Sequence, residues 1–352
     1  MKKRQQEELQ CMLDDMDKQE ELYRPTSFWQ EASKLIIEDI NNNGITNFRS
    51  LVSAYSMFAP IYSYFEYVKD KTLFTKTKNE LLKVTSDIKS NIKLELLISG
   101  QIQAWSDYRV LQASNRDYAP YTNKVTESNL GNPIEHYNFD GRNFSRSFLN
   151  YLLGLSFLKQ HIESPKIKTV MEIGGGFGTL GEILLGDERH DYFYINADIP
   201  PVSFVSSYYL KELFGDEVAT YSDLKERELL DIDSLKQEYK ALNIASWQVP
   251  KLRGKIDLFV NFISFQEMEP EVVQNYANYI IKLNPQYILL RNIEEGKKRK
   301  DENTIYGVDE PILGSSYDNF FSNYKLLATD GSIFGFRTED NFHSQLRLYI
   351  RK

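Results

Sequence analysis

Two different rhythms of hydrophobic and polar residues divide the chain near residue 166. Beyond it, short apolar runs alternate with segments in which apolar residues recur at helical spacing, a pattern typical of strands and helices in turn. The pattern predicts strands over 167–173, 192–200, 217–223, 255–263 and 286–292, with helices between them and a helical segment over 234–242. Two further strands, 324–330 and 344–352, follow each other without an intervening long helix and predict a hairpin.

Alternating strands and helices predict a mostly parallel α/β sheet, and the closing hairpin adds an antiparallel C-terminal strand. We therefore expect a Rossmann-like sheet over 166–352, preceded by a connecting loop and helix over 126–165. Residues 1–125 show only helical spacing and predict a helical N-terminal region that covers the binding site of a substrate or forms a homodimer contact. A two-half dinucleotide fold would continue into a second βαβαβ unit, whereas the residues after 292 offer only the hairpin.

Composition narrows the class of protein without naming a reaction. The chain of 352 residues has 42 Lys and Arg against 50 Asp and Glu, so a general grip on nucleic acid through phosphates is not expected. Cys11 is the only cysteine, which excludes an internal disulfide and a multi-cysteine metal site. No apolar run is long enough for an integral membrane segment, and no secretory signal pattern is present. We expect a cytoplasmic protein.

The stretch MEIGGGFGTLGEILLG, residues 171–186, contains six glycines, four of which lie between the first strand and its helix. Glycine lets the chain turn tightly and lets a cofactor approach the backbone. The stretch fits two patterns. Gly176, Gly178 and Gly181 have the G-x-G-x-x-G spacing of an NAD(P)-binding oxidoreductase, whereas Glu172, Gly174, Gly176 and Gly178 have the E-x-G-x-G-x-G spacing of an S-adenosylmethionine site.

Acidic residues near the strand ends bear on the choice between the two cofactors. Asp198 follows the second strand, where a carboxylate can accept hydrogen bonds from ribose hydroxyls in either kind of site. Glu172 belongs only to the methyl-donor pattern and suits a cationic sulfonium rather than a pyrophosphate. Asp223, after the third predicted strand, is a candidate for binding the adenine amino group, or else a helix N-cap.

The second half of the chain resembles the class I S-adenosylmethionine-dependent methyltransferases. More narrowly, EIGGGFGTLGE, NADIPPVSFVSSYYLKELFG and DLFVNFISFQEMEP resemble stretches of the sugar O-methyltransferases of bacterial surface-polysaccharide gene clusters. The resemblance implies S-adenosylmethionine as cofactor, a sugar or glycan acceptor of capsule or lipopolysaccharide biosynthesis, and donor binding by Glu172, Gly174, Gly176, Gly178 and Asp198. A methyltransferase for a non-sugar acceptor remains an alternative.

The segment after the 255–263 strand is expected to face the donor methyl group. Glu267 is a candidate general base for the acceptor hydroxyl, and Asn261 and Gln266 are candidates for orienting it. Glu267 also fits a structural role at the start of the next helix, where acids favour the helix dipole.

Three residues elsewhere complete the candidate list. His136, in the loop that enters the core, and His343, between the final strands, are each a candidate base or an ordinary loop histidine. Tyr137 is a candidate for stacking on a sugar, or for core packing. The basic residues 297–300 form either a solvated loop or a lid for an anionic acceptor. No pair of histidines has metal-ligand spacing, so no metal is predicted.

Overall fold

The computed structural model describes residues 2–63, 71–84, 87–163, 165–187, 189, 191–301, 307–338 and 341–352. Numbered along the chain, its α-helices are α1 (Lys3–Met16), α2 (Ser27–Asn43), α3 (Val52–Met57), α4 (Lys71–Val84), α5 (Ile88–Ile98), α6 (Gln101–Ser114), α7 (Arg146–His161), α8 (Thr179–Leu185), α9 (Val202–Phe214), α10 (Tyr221–Leu224), α11 (Ile232–Glu238), α12 (Pro270–Leu283) and α13 (Ser316–Phe320). The strands are β1 (Tyr137–Phe139), β2 (Arg142–Phe144), β3 (Thr169–Ile173), β4 (Phe193–Asp198), β5 (Val218–Ala219), β6 (Leu230–Asp231), β7 (Ala241–Ala245), β8 (Leu252–Arg253), β9 (Leu258–Phe262), β10 (Tyr287–Ile293), β11 (Tyr324–Asp330), β12 (Phe336–Arg337) and β13 (His343–Arg351).

A mostly parallel sheet lies at the centre of the fold. Its strands follow the order β11-β13-β10-β9-β3-β4-β7-β5, and β12 pairs with β13. The strands from β10 to β5 in this order run parallel, whereas β13 is antiparallel to both β10 and β11. This arrangement confirms the predicted α/β sheet and its antiparallel C-terminal strand.

The central strands are buried on both faces. Every residue of β3, β7 and β9 is buried, as the continuous apolar runs of these segments require in a parallel sheet covered on both sides. The chain enters the sheet at β3, continues to β4 on one side and later returns to β9 on the other side. Ligands of such sheets bind beyond the carboxyl ends of the strands at the point where this order reverses.

The described residues before 126 form six α-helices and two short 3-10 turns and contain no strand, as the helical spacing predicted. Leu9, Met12 and Met16 of α1 are buried in the same continuous core as the sheet. The next segment crosses the carboxyl end of the sheet, where the Thr26 hydroxyl donates to the Glu267 carbonyl at 2.9 Å. This part of the N-terminal region is therefore packed on the carboxyl edge of the sheet.

Strand β7 differs from the sequence prediction. The segment 234–242 was expected to be helical throughout, but α11 ends at Glu238 and Ala241–Ala245 forms a wholly buried strand between β4 and β5. The strand expected over 217–223 shrinks to the two residues of β5 at the edge of the sheet. The segment 241–245 is too short for its periodicity to distinguish a strand from a helix, and its burial on both faces of the sheet favours the strand.

None of the helices among the described residues combines the length and the apolar composition that crossing a membrane would require.

Candidate active site

A cavity of about 290 Å³ opens beyond the carboxyl ends of β3, β4 and β9. It is lined by the glycine loop after β3, the end of β4, the turn after β9, the first turns of α7, and the N-terminal segment that crosses this edge. Five of the residues singled out in the sequence line it: Gly174, Gly176, Asp198, Gln266 and Glu267.

The glycine loop brings backbone to the wall of the cavity. Gly174, Gly176 and Gly178 have φ values of 73°, 57° and 100°, in the region that favours glycine. A Cβ on Gly174 would also lie 2.1 Å from the Ser264 hydroxyl, so a side chain is excluded there for two reasons. Gly176 has more space, because its nearest neighbour would be the Phe58 carbonyl oxygen at 3.3 Å. Gly178 precedes α8 and does not line the cavity.

Glu172 lies beneath this loop rather than in the cavity. Its carboxylate is wholly buried and accepts hydrogen bonds of 2.6 Å from the hydroxyls of Tyr151 and Tyr194. Burial raises its pKa to about 7 although both hydroxyls favour the charged form. A Cβ on Gly175 would lie 2.6 Å from one of its oxygens. Glu172 therefore packs against the glycine loop on the side away from the cavity. This position differs from the direct contact with the donor that the resemblance implied.

Asp198 ends β4 and faces the cavity. Its carboxylate accepts hydrogen bonds from the backbone N–H groups of Ile199 at 2.8 Å and Gly176 at 3.2 Å. Burial raises its pKa to about 8, and the nearby Glu172 and Glu267 add to this rise. No cation pairs with it among the described residues, so a ligand that donates hydrogen bonds or carries positive charge would stabilise its ionised form.

The turn after β9 is held by a buried amide network. The Asn261 side chain is wholly buried; it donates to the Ile173 carbonyl at 2.9 Å and accepts from the Phe265 N–H at 3.1 Å. Asn261 thus ties β9 to the end of β3 and does not reach the cavity, contrary to its predicted role in orienting a hydroxyl. Ile263 has a φ of 74°, a strained conformation for a β-branched residue and one that clusters at functional sites. Gln266 does line the cavity, while its side-chain oxygen accepts from the Ile293 N–H at 2.8 Å.

Glu267 is the second carboxylate on the cavity wall. One oxygen accepts from the Trp29 indole N–H at 3.1 Å, and the other pairs with the Lys297 ammonium at 2.7 Å. The side chains of Glu267 and Lys297 are 9% and 17% exposed, so the ion pair is largely shielded from solvent. The Lys297 ammonium also lies 3.7 Å from the centre of the Phe28 ring. These contacts hold the carboxylate in one position and leave lone pairs free to accept a proton.

Two of the remaining candidates are engaged in the packing of the core. The Nε2 atom of His136 lies 3.2 Å from the buried carboxylate of Glu127, and its Nδ1 lies 3.0 Å from the Asn129 side-chain oxygen. The Tyr137 hydroxyl donates to the Ser99 carbonyl at 2.7 Å and to Glu135 at 2.8 Å. Neither lines the cavity, so the predictions of a base at His136 and of sugar stacking at Tyr137 are not met by their positions.

His343 and Asp223 also lie outside the cavity. His343 sits at its rim, where Nδ1 is 2.6 Å from Glu295, and the next residue, Ser344, contributes to the wall. Asp223 accepts from the backbone N–H of Thr220 at 2.8 Å in the capping box of α10. Thr220 is the N-cap of α10 and Asp223 is the third residue of the helix, so Asp223 takes part in capping without being the N-cap itself. Because β7 and not β5 is the neighbour of β4, Ser246 after β7 lines the cavity and Asp223 does not.

One group among the described residues could hold a metal ion. Ligand atoms of Glu294, Glu295 and His343 lie within 4.8 Å of one another, and both glutamates are exposed.

Sequence reasoning missed two arginines in the wall of the cavity. Arg291 lies in the middle of β10 and is wholly buried, and Arg146 begins α7. A lone charged residue inside the apolar run YILLRNI was a signal available in the sequence, because an isolated charge is costly to bury.

No protein-family model and no curated protein matches the sequence. Among solved structures, the chain is similar to magnesium protoporphyrin IX methyltransferase of Synechocystis PCC 6803 with bound SAH, at 11% identity over 59% of this chain and 84% of that one, with a TM-score of 0.39. It is similar to the PH0226 protein of Pyrococcus horikoshii OT3 at 12% identity over 59% and 92% of the two chains, with a TM-score of 0.39. It is also similar to the methyltransferase domain of bacterial CtHen1 at 14% identity over 58% and 100%, with a TM-score of 0.37. Similarity at this level does not indicate which reaction the protein catalyses. The assignment of a reaction depends on the residues of the cavity.

Proposed function

We propose that the protein is an S-adenosylmethionine-dependent O-methyltransferase that acts on a sugar hydroxyl, in the cytoplasmic assembly of a bacterial surface glycan. The observation that carries the proposal is one cavity with two acids on its wall. Asp198 lies beside the glycine loop, and Glu267 is held by Trp29 and Lys297. Asp198 suits binding of the methyl donor, and Glu267 suits the acceptor of the methyl group.

The residues at the end of β4 fit the ribose of the donor. A carboxylate has about four lone-pair sites, and the structure occupies two of those of Asp198 with the N–H groups of Gly176 and Ile199. The remaining capacity faces the cavity and matches the two hydroxyls of a ribose. The Gly174–Gly176 backbone would hold the methionine part, since no side chain separates it from the cavity.

Asp198 favours a sulfonium over a pyrophosphate next to the glycine loop. Burial raises its pKa to about 8, and no cation pairs with it among the described residues. A cationic ligand would stabilise the ionised form of Asp198, whereas the charges of a pyrophosphate would disfavour that form. Asp198 therefore supports S-adenosylmethionine over a nicotinamide dinucleotide.

Glu267 would act as the general base. When bound, S-adenosylmethionine supplies an electrophilic methyl carbon on a cationic sulfur. Glu267 would accept the proton of the acceptor hydroxyl as the new C–O bond forms and the bond between sulfur and the methyl carbon breaks, leaving S-adenosylhomocysteine. With Asp198 assigned to the ribose, Glu267 is the other carboxylate on the cavity wall. Trp29 and Lys297 position the Glu267 carboxylate, and the N-terminal segment that carries Trp29 excludes water from this side.

A sugar acceptor is supported by the resemblance in sequence and by the aromatic side chains of the wall. Trp29, Tyr151, Phe262 and Phe336 all line the cavity. Aromatic faces pack well on the C–H surfaces of a sugar ring, while the polar groups of the wall can bind its hydroxyls.

The test is calorimetric titration of the full chain with S-adenosylhomocysteine and, separately, with NADH. We expect binding of S-adenosylhomocysteine that is weakened at least tenfold by Asp198→Asn and unchanged by the matched control Asp223→Asn. Binding of NADH alone would overturn the proposal. Methyl transfer from labelled S-adenosylmethionine is then measured on sugars, a phenol and a lipid head group; transfer only to the last two would refute the sugar acceptor while leaving the donor site in place.

A further inference from the structure

Arg291 is buried without the partners that a guanidinium normally requires. Its side chain is wholly buried, and one terminal nitrogen, Nη2, donates to the backbone carbonyls of Asn150 at 3.2 Å and Phe334 at 2.9 Å. Among the described residues, its Nε and Nη1 atoms have no hydrogen-bond partner, and no carboxylate pairs with it. A buried charge with unused donors is costly unless a ligand completes it.

Arg291 is part of the cavity wall, so a group bound in the cavity can lie next to its side chain. The two acidic residues whose charges raise the pKa of Arg291 have other hydrogen-bond partners. Asp107 accepts from the Tyr62 hydroxyl, and Asp330 accepts from three backbone N–H groups, those of residues 332–334. Burial lowers the pKa of Arg291 to about 10, which still leaves it charged near neutral pH.

A second guanidinium lies on the same wall. Arg146 lines the cavity, and its guanidinium carbon is 5.4 Å from the centre of the Phe336 ring. The corresponding distance from Arg291 to that ring is 5.7 Å, so the two cations flank one aromatic side chain. Arg146 donates to the Ile61 carbonyl at 2.9 Å and forms no ion pair with a described carboxylate. The wall therefore carries two guanidinium groups without a described ion-pair partner, whereas Glu267 is paired with Lys297 and burial favours the protonated form of Asp198.

We propose that Arg291, with Arg146 beside it, binds an oxyanion of the acceptor, so that the enzyme methylates an acidic sugar carrying a carboxylate or a phosphate. The planar fork of a guanidinium donates two parallel hydrogen bonds to either group, which fixes the orientation of the ring as well as its charge. The inference rests on the proposed function and specifies the chemical class of its acceptor.

The experiment measures binding to the full chain saturated with S-adenosylhomocysteine. Glucuronate and glucose 6-phosphate are titrated against it, with glucose as the neutral comparison and inorganic phosphate as a bare anion. We expect at least one charged sugar to bind at least tenfold more tightly than glucose, and Arg291→Gln and Arg146→Gln each to remove this preference. Arg142→Gln is the matched control, because Arg142 stacks on Tyr108 and Phe144 away from the cavity, and it should change nothing.

Two further readouts separate the competing explanations. Removing a buried unpaired cation should leave the thermal midpoint of the unliganded protein equal to or above that of the wild type, whereas a fall in it with anion binding retained would show a purely structural arginine and overturn the inference. If Arg291→Gln weakens S-adenosylhomocysteine instead of the sugar, the guanidinium holds the donor's own carboxylate and the acceptor assignment is wrong.

Failure of the inference is distinct from failure of the proposed function. If S-adenosylhomocysteine binds but no charged sugar or phosphate shows dependence on Arg291, the acidic acceptor is refuted and the donor site stands. If S-adenosylhomocysteine does not bind, the methyltransferase proposal fails, and the acidic acceptor, which rests on it, falls as well.

Discussion

Asp198→Asn should change the pH dependence of folding stability in a direction set by burial. The folded carboxyl has a pKa of about 8 against an ordinary value of 3.8, so between these values the folded state holds a proton that the unfolded state has released. The free energy of unfolding of the wild type therefore falls as the pH rises through this window, by up to about 1.4 kcal/mol per pH unit for one proton. Asparagine does not titrate, so the variant lacks this slope.

The difference in unfolding free energy between variant and wild type should thus rise by up to about 3 kcal/mol from pH 5 to pH 7. This is an upper limit, because the carboxylate faces the cavity. The raised pKa of Glu172 acts on both proteins and cancels. The assay is urea denaturation of the unliganded chain at pH 5, 6 and 7, with Asp223→Asn as the control for loss of an acid outside the cavity. A difference that stays constant over this range would refute the burial argument, whatever its absolute size.

The other predictions concern the cavity and its surroundings. Gly174→Ala should destabilise the fold by roughly 1–3 kcal/mol and abolish S-adenosylhomocysteine binding, because the new Cβ meets the Ser264 hydroxyl at a φ of 73°; an unaffected midpoint in urea would contradict this. Glu267→Gln should lower kcat roughly 10²–10⁴-fold with donor binding intact, while Glu271→Gln on α12 leaves kcat unchanged; equal rates for both variants would remove Glu267 as the base. Asp223→Asn should leave the affinity for S-adenosylhomocysteine unaltered, and a loss of binding in calorimetry would restore its predicted contact with adenine.

The two proposals give the charged residues of the cavity wall different uses. Asp198 would bind the donor and Glu267 would accept a proton, while Arg146 and Arg291 would bind an anionic group of the acceptor.

Local patterns in the sequence were enough to predict the fold class and part of the candidate site. The alternation of apolar runs and helical segments predicted β3, β4, β9, β10 and the closing hairpin, because side-chain periodicity depends only on neighbouring residues. The glycines and Asp198 could be placed because they follow strands directly, and parallel strands present their carboxyl ends at one edge of the sheet.

The tertiary structure decided which residues face that edge. Strand β7 separates β4 from β5 and so leaves Asp223 away from the site, an insertion that no local pattern contains. Glu172 and Asn261 turned out to support the loops, since both have their hydrogen bonds satisfied inside the core. Trp29 reaches Glu267 across 238 residues of chain, and Arg291 meets the cavity without an ion-pair partner among the described residues. Periodicity reports which face of an element is buried, but contacts between distant segments depend on strand order and on how the helices pack over it.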